Sequence, residues 1–233
     1  TDCDAVSWVE VAPDDGTHFY NTAREQFFHT IHGRRAVGHW HTVTVNGLNA
    51  GTTYRYRVLN KAVVFIPKNG RPYYSEGKGS NVYRKEPYRI RTLSNNAETL
   101  RFAIGNDFHD KPELIEQLFS KEIISPKNYD FVLYNGDMVS KFETEQRLVE
   151  SVINPSVAQF ATQVPLFIAR GNHETRGAHA TAFYNYFPTS TKDPYYTLSH
   201  GNTFIIVLDG GEDKPDSDIE YHDLVRYDNY REQ

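Results

Sequence analysis

The sequence predicts two domains, an all-β sandwich over residues 1–94 followed by an α/β layered domain over residues 95–233. Three observations predict it. Short β-branched and aromatic runs separated by turn residues fill the first part. After residue 94 the rhythm changes to strand, loop, helix, the alternation of layered α/β folds. The charge also divides there. Residues 1–94 carry thirteen Lys+Arg against eight Asp+Glu, and residues 95–233 carry twelve against twenty-two, which together make the net −5.

In chain order, "AVSWVEV" (5–11) and "HWHTVTV" (39–45) read as strands, with "APDDG" (12–16) and "NGLNAG" (46–51) as turns between strands. "TTYRYRVL" (52–59) alternates, with Tyr54, Tyr56 and Val58 on one face and Arg55 and Arg57 on the other. "AVVFI" (62–66) and "PYRIRTL" (87–93) add strands around a Gly/Lys-rich loop, and short strands at this spacing predict a sandwich. "TLSNNAET" (92–99) is polar and turn-rich, as a boundary should be.

Beyond the boundary, "RFAIGND" reads as a buried strand running into a loop, followed by a helix over 111–124 with Pro112 in its first turn. "YDFVLYNGD" (129–137) is again strand then loop, and "ETEQRLVESVINPSVAQF" is helical until Pro155. "VPLFIARGNHE" (164–174) is a third strand and loop, "YYTLSHGNTFIIVLDG" (195–210) is a hairpin turning at Gly201-Asn202, and "YHDLVRYDNYREQ" is a helix carrying His222 on its surface.

Composition narrows the function classes. The chain is 39% hydrophobic and 24% charged, ordinary for a globular protein, and no apolar run approaches the ~18 residues of a membrane-spanning helix. One cysteine, Cys3, excludes an internal disulfide and a cysteine-based zinc cluster. A net acidic second half argues against nucleic acid as a general partner.

The chemistry concentrates where three strands end: Asp107-Phe108-His109, Gly136-Asp137 and Gly171-Asn172-His173-Glu174. In α/β sheets, ligand sites gather beyond the carboxyl ends of the strands, so the three loops can share one crevice. Carboxylate, imidazole and amide oxygen suit Mn, Fe or Zn. The bland alternative is that each loop is merely solvated. Chance weighs against it: a Gly-Asp dipeptide is expected about once in a chain of this composition, but Gly-Asn-His-Glu only ~3 times in a thousand such chains.

Those three clusters, in that order, resemble the calcineurin-like metallophosphoesterases. In front of them, Leu48, Gly51, Tyr54, Tyr56 and Val58 resemble the Leu-x-Pro-Gly-x-x-Tyr-x-Tyr-x-Val signature of fibronectin type III-like domains. Together they make the chain similar to the purple acid phosphatases. The resemblance implies that Tyr54 caps a corner by hydrogen-bonding to the backbone. It implies two divalent or trivalent metal ions (Fe, Mn or Zn) and hydrolysis of a small phosphate ester by a bridging hydroxide. Asp107 and His109 would bind the first metal, Asp137 would bridge both, and Asn172 would bind the second. His173 would protonate the leaving group. Glu174, next to it in sequence, either orients that imidazole or is a solvated carboxylate at a turn. Arg170 either reaches a phosphate or pairs with a carboxylate, and Lys141 has the same two readings. The tyrosines at 184, 186, 195 and 196 read as core or rim.

Two departures follow from the same resemblance. Ser140 stands where the purple enzymes place a metal-binding tyrosine, so the chromophore is not implied. The family's later His and Gly-His-x-His motif have no match here, and the fibronectin-like part lacks its first two strands. The chain is therefore read as truncated at both ends, holding at most one metal with little activity. A catalytically inactive binding or adhesion module is the alternative. By resemblance alone, the expected location is periplasmic or extracellular.

Overall fold

The computed structural model describes residues 1–68, 70–80, 87–125, 127–189, 193–218 and 226–227. They fall into two compact units, Thr1–Leu93 and Ser94–Gln233. His222 and most of the C-terminal stretch read as a helix lie outside the described residues.

The first unit is built on a long antiparallel pair. β1 (Ala5–Pro13) and β5 (Thr53–Phe65) pair over nine residues, from Ala5 opposite Ala62 to Pro13 opposite Tyr54. β2 (Gln26–Phe28) lies on the other edge of β1, while β6 (Tyr73–Tyr74), β7 (Lys78–Gly79) and β8 (Tyr88–Arg91) pair successive stretches of β5. A separate ribbon joins β3 (Thr30–Ile31) to β4 (Arg34–Arg35). Among the described residues these strands make one six-stranded sheet and a ribbon; a second packed sheet is not among them.

Two expectations change here. The runs 52–59 and 62–66 are one continuous strand, β5. Residues 39–45 form no strand; the chain meets β1 just before them in a single bridge, Gly38 opposite Ala5. Arg55, on the opposite face of β5, is buried. Its guanidinium donates to the carbonyls of Pro13 (2.8 Å) and Thr17 (2.5 Å) and to Asp15 Oδ1 (3.3 Å), so burial carries no unmet donor cost. At the corner before β5, the Tyr54 hydroxyl accepts from the Asn49 backbone N–H at 2.9 Å, the bond expected of it.

The second unit centres on three parallel strands in the order β11-β10-β9: β9 (Phe102–Gly105), β10 (Phe131–Asn135) and β11 (Leu166–Ala169). β10 is central, and its Phe131, Val132, Leu133 and Tyr134 are all buried, as a strand covered on both faces requires. β9, read from sequence as buried, is an edge strand with Phe102 and Ile104 37% and 53% exposed.

The helix α1 (Pro112–Leu118) is shorter than the expected 111–124; Phe119 closes it by donating to the Ile115 carbonyl. The next helix passes through Pro155 instead of ending there. α2 (Glu145–Leu148) and α3 (Asn154–Ser156) alternate with wide π turns at Val149–Ile153 and Val157–Ala161. Those turns carry the ladder past a residue that has no N–H to give. A short α4 (Phe183–Tyr186) follows, and β12 (Tyr196–His200) and β13 (Thr203–Val207) form the hairpin, turning at Gly201-Asn202. Among the described residues no helix is long and apolar enough to cross a membrane.

Candidate metal centre

Because β9, β10 and β11 are parallel neighbours, their carboxyl ends open on one edge of the sheet. The loops leaving β9 and β10 are stitched together by backbone bonds. Asp107, His109 and Asp110 donate to the carbonyls of Gly136, Asp137 and Met138 at 3.2, 3.1 and 3.0 Å. Beneath them Phe108 is buried against Tyr134 and Phe119, which pins the loop between Asp107 and His109.

This stitching forces an unusual backbone. Asp107, His109, Asp110 and Asp137 have φ of +59°, +47°, +61° and +57°, in the left-handed region that costs a non-glycine residue free energy. Only His32 shares that property among the described non-glycine residues. Strain gathered on polar loop residues at the ends of neighbouring strands is a mark of functional sites.

The third loop is locked to the second by Glu174, which is 1% exposed. Its Oε2 accepts from Asp137 N (2.9 Å) and Gly171 N (2.8 Å), and its Oε1 from Met138 N (2.6 Å) and Val139 N (3.1 Å). Burial raises its pKa, opposed by these backbone donors, which favour the carboxylate. The loops come so close that a Cβ on Gly136 would sit 2.7 Å from the Gly171 Cα, and one on Gly171 would collide with the Asp137 carboxylate. The glycines of Gly-Asp and Gly-Asn-His-Glu are there for this approach.

The side chains then converge. Ligand-capable atoms of His109, Asp137 and His173 all lie within 4.8 Å of one another. Asp107 stands beside them, its Oδ1 3.4 Å from His109 Nε2, and its other oxygen accepts from the Asn106 amide. The His109 and His173 rings meet edge to face at 4.5 Å, and the Asp137 Oδ1 accepts from the His173 backbone N–H at 3.0 Å. Asn172 gives its amide nitrogen to Asp213 Oδ1 at 3.2 Å, which turns its carbonyl oxygen away from that carboxylate. Two imidazoles and partly exposed carboxylates on a rigid frame are a donor set that fits an N/O-ligated cation.

One sequence reading is corrected. Glu174 does not orient the His173 imidazole; burial commits it to the four backbone donors. The Ser140 carbonyl takes that place, 2.7 Å from His173 Nδ1. His173, set apart from the metal ligands in the sequence reading, lies in the same cluster as His109 and Asp137. Of the two readings of Arg170, the ion pair holds: its Nη2 is 2.6 Å from Asp209 Oδ2, and the Asp209 side chain is fully buried. Asp110 is structural, accepting from Ser140 N (2.9 Å) and Arg147 Nε (3.0 Å). His200, in β12, accepts from Ser94 N. Tyr184, Tyr186 and Tyr196 bond to Asp209, Glu145 and the Ile168 carbonyl, as core and rim groups do.

Sequence reasoning missed Arg176, Glu212 and Asp213. Arg176 donates to Glu212 from Nε and Nη2, both at 2.7 Å, and from Nη2 to Asp213 at 3.0 Å. Its Nη1 lies 3.2 Å from His173 Nε2. Arg176 follows His173 by one short turn, a spacing that could have flagged it; nothing in the sequence joins it to Glu212.

The family model of the calcineurin-like phosphoesterases matches residues 100–232. No curated protein matches the chain.

Proposed function

The chain belongs to the calcineurin-like phosphoesterase family, and from that premise we propose that the carboxyl edge of β9–β11 supplies ligands to a two-metal centre that hydrolyses small phosphate esters. Membership makes it a metal-dependent phosphoesterase. The observation that carries the finer reading is the convergence of His109, Asp137 and His173 from three separate loops. Asp107 and His109 would hold one cation, Asn172 would serve the second through its amide oxygen, and Asp137 would lie between them. When bound, such cations polarise the phosphoryl oxygens and lower the pKa of water towards neutrality.

The protein's part is positioning. Glu174 keeps Asp137 and the Asn172-His173 turn at a fixed separation, so the donors need no rearrangement to act. His173 keeps its Nδ1–H on the Ser140 carbonyl. A ring held in this way can take a second proton at Nε2 and pass it to the leaving-group oxygen. Ser140 brings no phenol to the centre, so no tyrosine–metal colour is expected.

The first unit we read as fibronectin type III-like and the whole as related to the purple acid phosphatases, an exported protein. The Tyr54–Asn49 bond supports that reading, and the division between Leu93 and Ser94 supports a domain boundary there.

A second reading is favoured by the same cluster: His173 is itself a ligand. Counting bound Zn and Mn per chain in Asp137→Ala and His173→Ala separates the two. We expect Asp137→Ala to lose metal and His173→Ala to keep it while losing turnover of a simple aryl phosphate. Equal metal loss in both would make His173 a ligand. Failure of the unaltered chain to bind either metal would defeat the metal-centre reading.

A further inference from the structure

The far end of β5 outruns its partner. Pairing with β1 stops at Ala5 opposite Ala62, with one last bond from the Val63 N–H to the Asp4 carbonyl at 2.8 Å. From Val63 to Phe65 the described partner in the ladder is the two-residue β6. So short a neighbour gives the side chains little to pack against. Val64, Phe65, Ile66 and Tyr73 are each more than half exposed, and the Phe65 and Tyr73 rings lie 6.3 Å apart. Single apolar residues are ordinary on a surface, but several together mark a contact. Beside the same turn is a cleft of about 610 Å³ lined by Arg35, Pro67, Arg71, Pro72, Tyr73 and Tyr74 among others. Arg35 lies over the Phe28 ring at 3.8 Å, and neither guanidinium is in an ion pair among the described residues. Residues 61–75 carry Lys61, Lys68 and Arg71 and no Asp or Glu.

We propose that the β5–β6 hairpin is a docking surface for an anionic phospholipid bilayer: Arg35, Lys68 and Arg71 meet the lipid phosphates while Val64, Phe65 and Ile66 enter the boundary between headgroups and acyl chains. Charge complementarity names the occupant. Cations without a carboxylate among them suit an anionic surface, and a guanidinium fits a phosphate in particular. A free phosphate in solution would use the cleft and leave the apolar residues unexplained. The bilayer boundary uses both, because it offers anionic oxygens and hydrocarbon within one side chain's reach. Tyr73 and Tyr74, each with an apolar ring and a polar tip, belong at the headgroup level between the two. Lys68 and Arg71 have stems long enough to lie along the apolar residues and still keep their charges among the phosphates. The inference is independent of the metal-centre reading, since it concerns the first unit and needs neither metal nor turnover.

Flotation of the whole chain with vesicles of phosphatidylcholine, alone or mixed equally with phosphatidylserine, tests this. The chain should float with the anionic vesicles and not with phosphatidylcholine alone, and added salt should weaken the binding. Lys68→Gln with Arg71→Gln should weaken it by about fivefold for each cation removed, the scale of a basic side chain near an anionic surface. Phe65→Ser with Ile66→Ser should weaken it by at least about tenfold, because two large apolar side chains no longer leave water. All four positions are exposed, and unchanged fluorescence of Trp8 and Trp40 would show that the first unit is still folded in each variant. Absence of flotation with the anionic vesicles overturns the proposal, and so does equal flotation with both compositions. Anionic binding that survives Phe65→Ser with Ile66→Ser unchanged, or is abolished by free phosphoserine, would leave a site for soluble anions only and overturn it too. Self-association of the unaltered chain that Phe65→Ser with Ile66→Ser dissolves would make the occupant a second copy instead.

Discussion

Each unit buries a glutamate, and the two are satisfied in opposite ways. Glu10, on β1, accepts from side chains: Trp8 Nε1 at 3.2 Å, Gln26 Nε2 at 3.0 Å and the Tyr20 hydroxyl at 2.6 Å. Glu174 accepts from four backbone N–H groups of two different loops. Side-chain partners tie neighbouring strands together but leave the backbone free to take its own course. Backbone partners dictate the course itself. The first arrangement holds a sheet; the second sets the spacing of groups that must act together, and holds Asp137 in a strained conformation.

The largest effect that would break this comparison is expected at Glu174. Glu174→Ala leaves four backbone N–H groups without their acceptor, those of Met138 and Val139 buried, and each buried one costs about 1–3 kcal/mol. With partial relaxation and entry of water we expect a loss of about 3–5 kcal/mol in the second unit, together with its metal. Both tryptophans, Trp8 and Trp40, belong to the first unit, so their fluorescence reports that unit alone. Urea unfolding followed by tryptophan should be nearly unchanged, while far-ultraviolet circular dichroism and metal content should change. Retained metal in a folded Glu174→Ala chain would mean that the loops keep their spacing without the clamp.

That the clamp was misread from sequence shows what was legible. The three strand-and-loop units and the convergence of their polar ends could be read directly, because alternation, glycine and residue order are local signals. So could the Gly201-Asn202 turn and the bond made by Tyr54. The partners were not legible. Glu174 sits beside His173 in the chain, yet its carboxylate turns to backbone donors as far away as Val139. The group that orients His173 is the main-chain carbonyl of Ser140, which no side-chain pattern announces. Arg176 and Glu212 are joined by a 36-residue separation that only the fold closes. The run 39–45 has the composition of a strand, but whether a strand finds an edge is decided by its neighbours.

A smaller effect is expected at the corner of the first unit. Tyr54→Phe removes one hydroxyl and leaves the Asn49 N–H without it, at a cost of about 1 kcal/mol. Tryptophan-monitored unfolding should detect that shift, and metal binding should not change. An equal loss in both measurements would show that the units do not respond separately.

The smallest effect, and the one with a sign to work out, concerns acid. Burial alone would raise the pKa of Glu10, but the hydrogen bonds from Tyr20, Gln26 and Trp8, aided by the charge of Arg57, outweigh it and hold the carboxyl below its ordinary value of 4.5. A carboxyl whose pKa is depressed by folding favours the folded state in its ionised form. Its contribution is therefore complete above the unfolded value near 4.5 and is lost as the pH falls through the lower, folded value. Glu10→Gln keeps one acceptor for Trp8 and Gln26 but cannot ionise. Against pH, tryptophan-monitored stability of the unaltered chain should exceed that of Glu10→Gln above this window, and the two should converge on acidification. A gap that persists unchanged below the window would mean that Glu10 acts through packing or hydrogen bonding alone, with no part played by its charge.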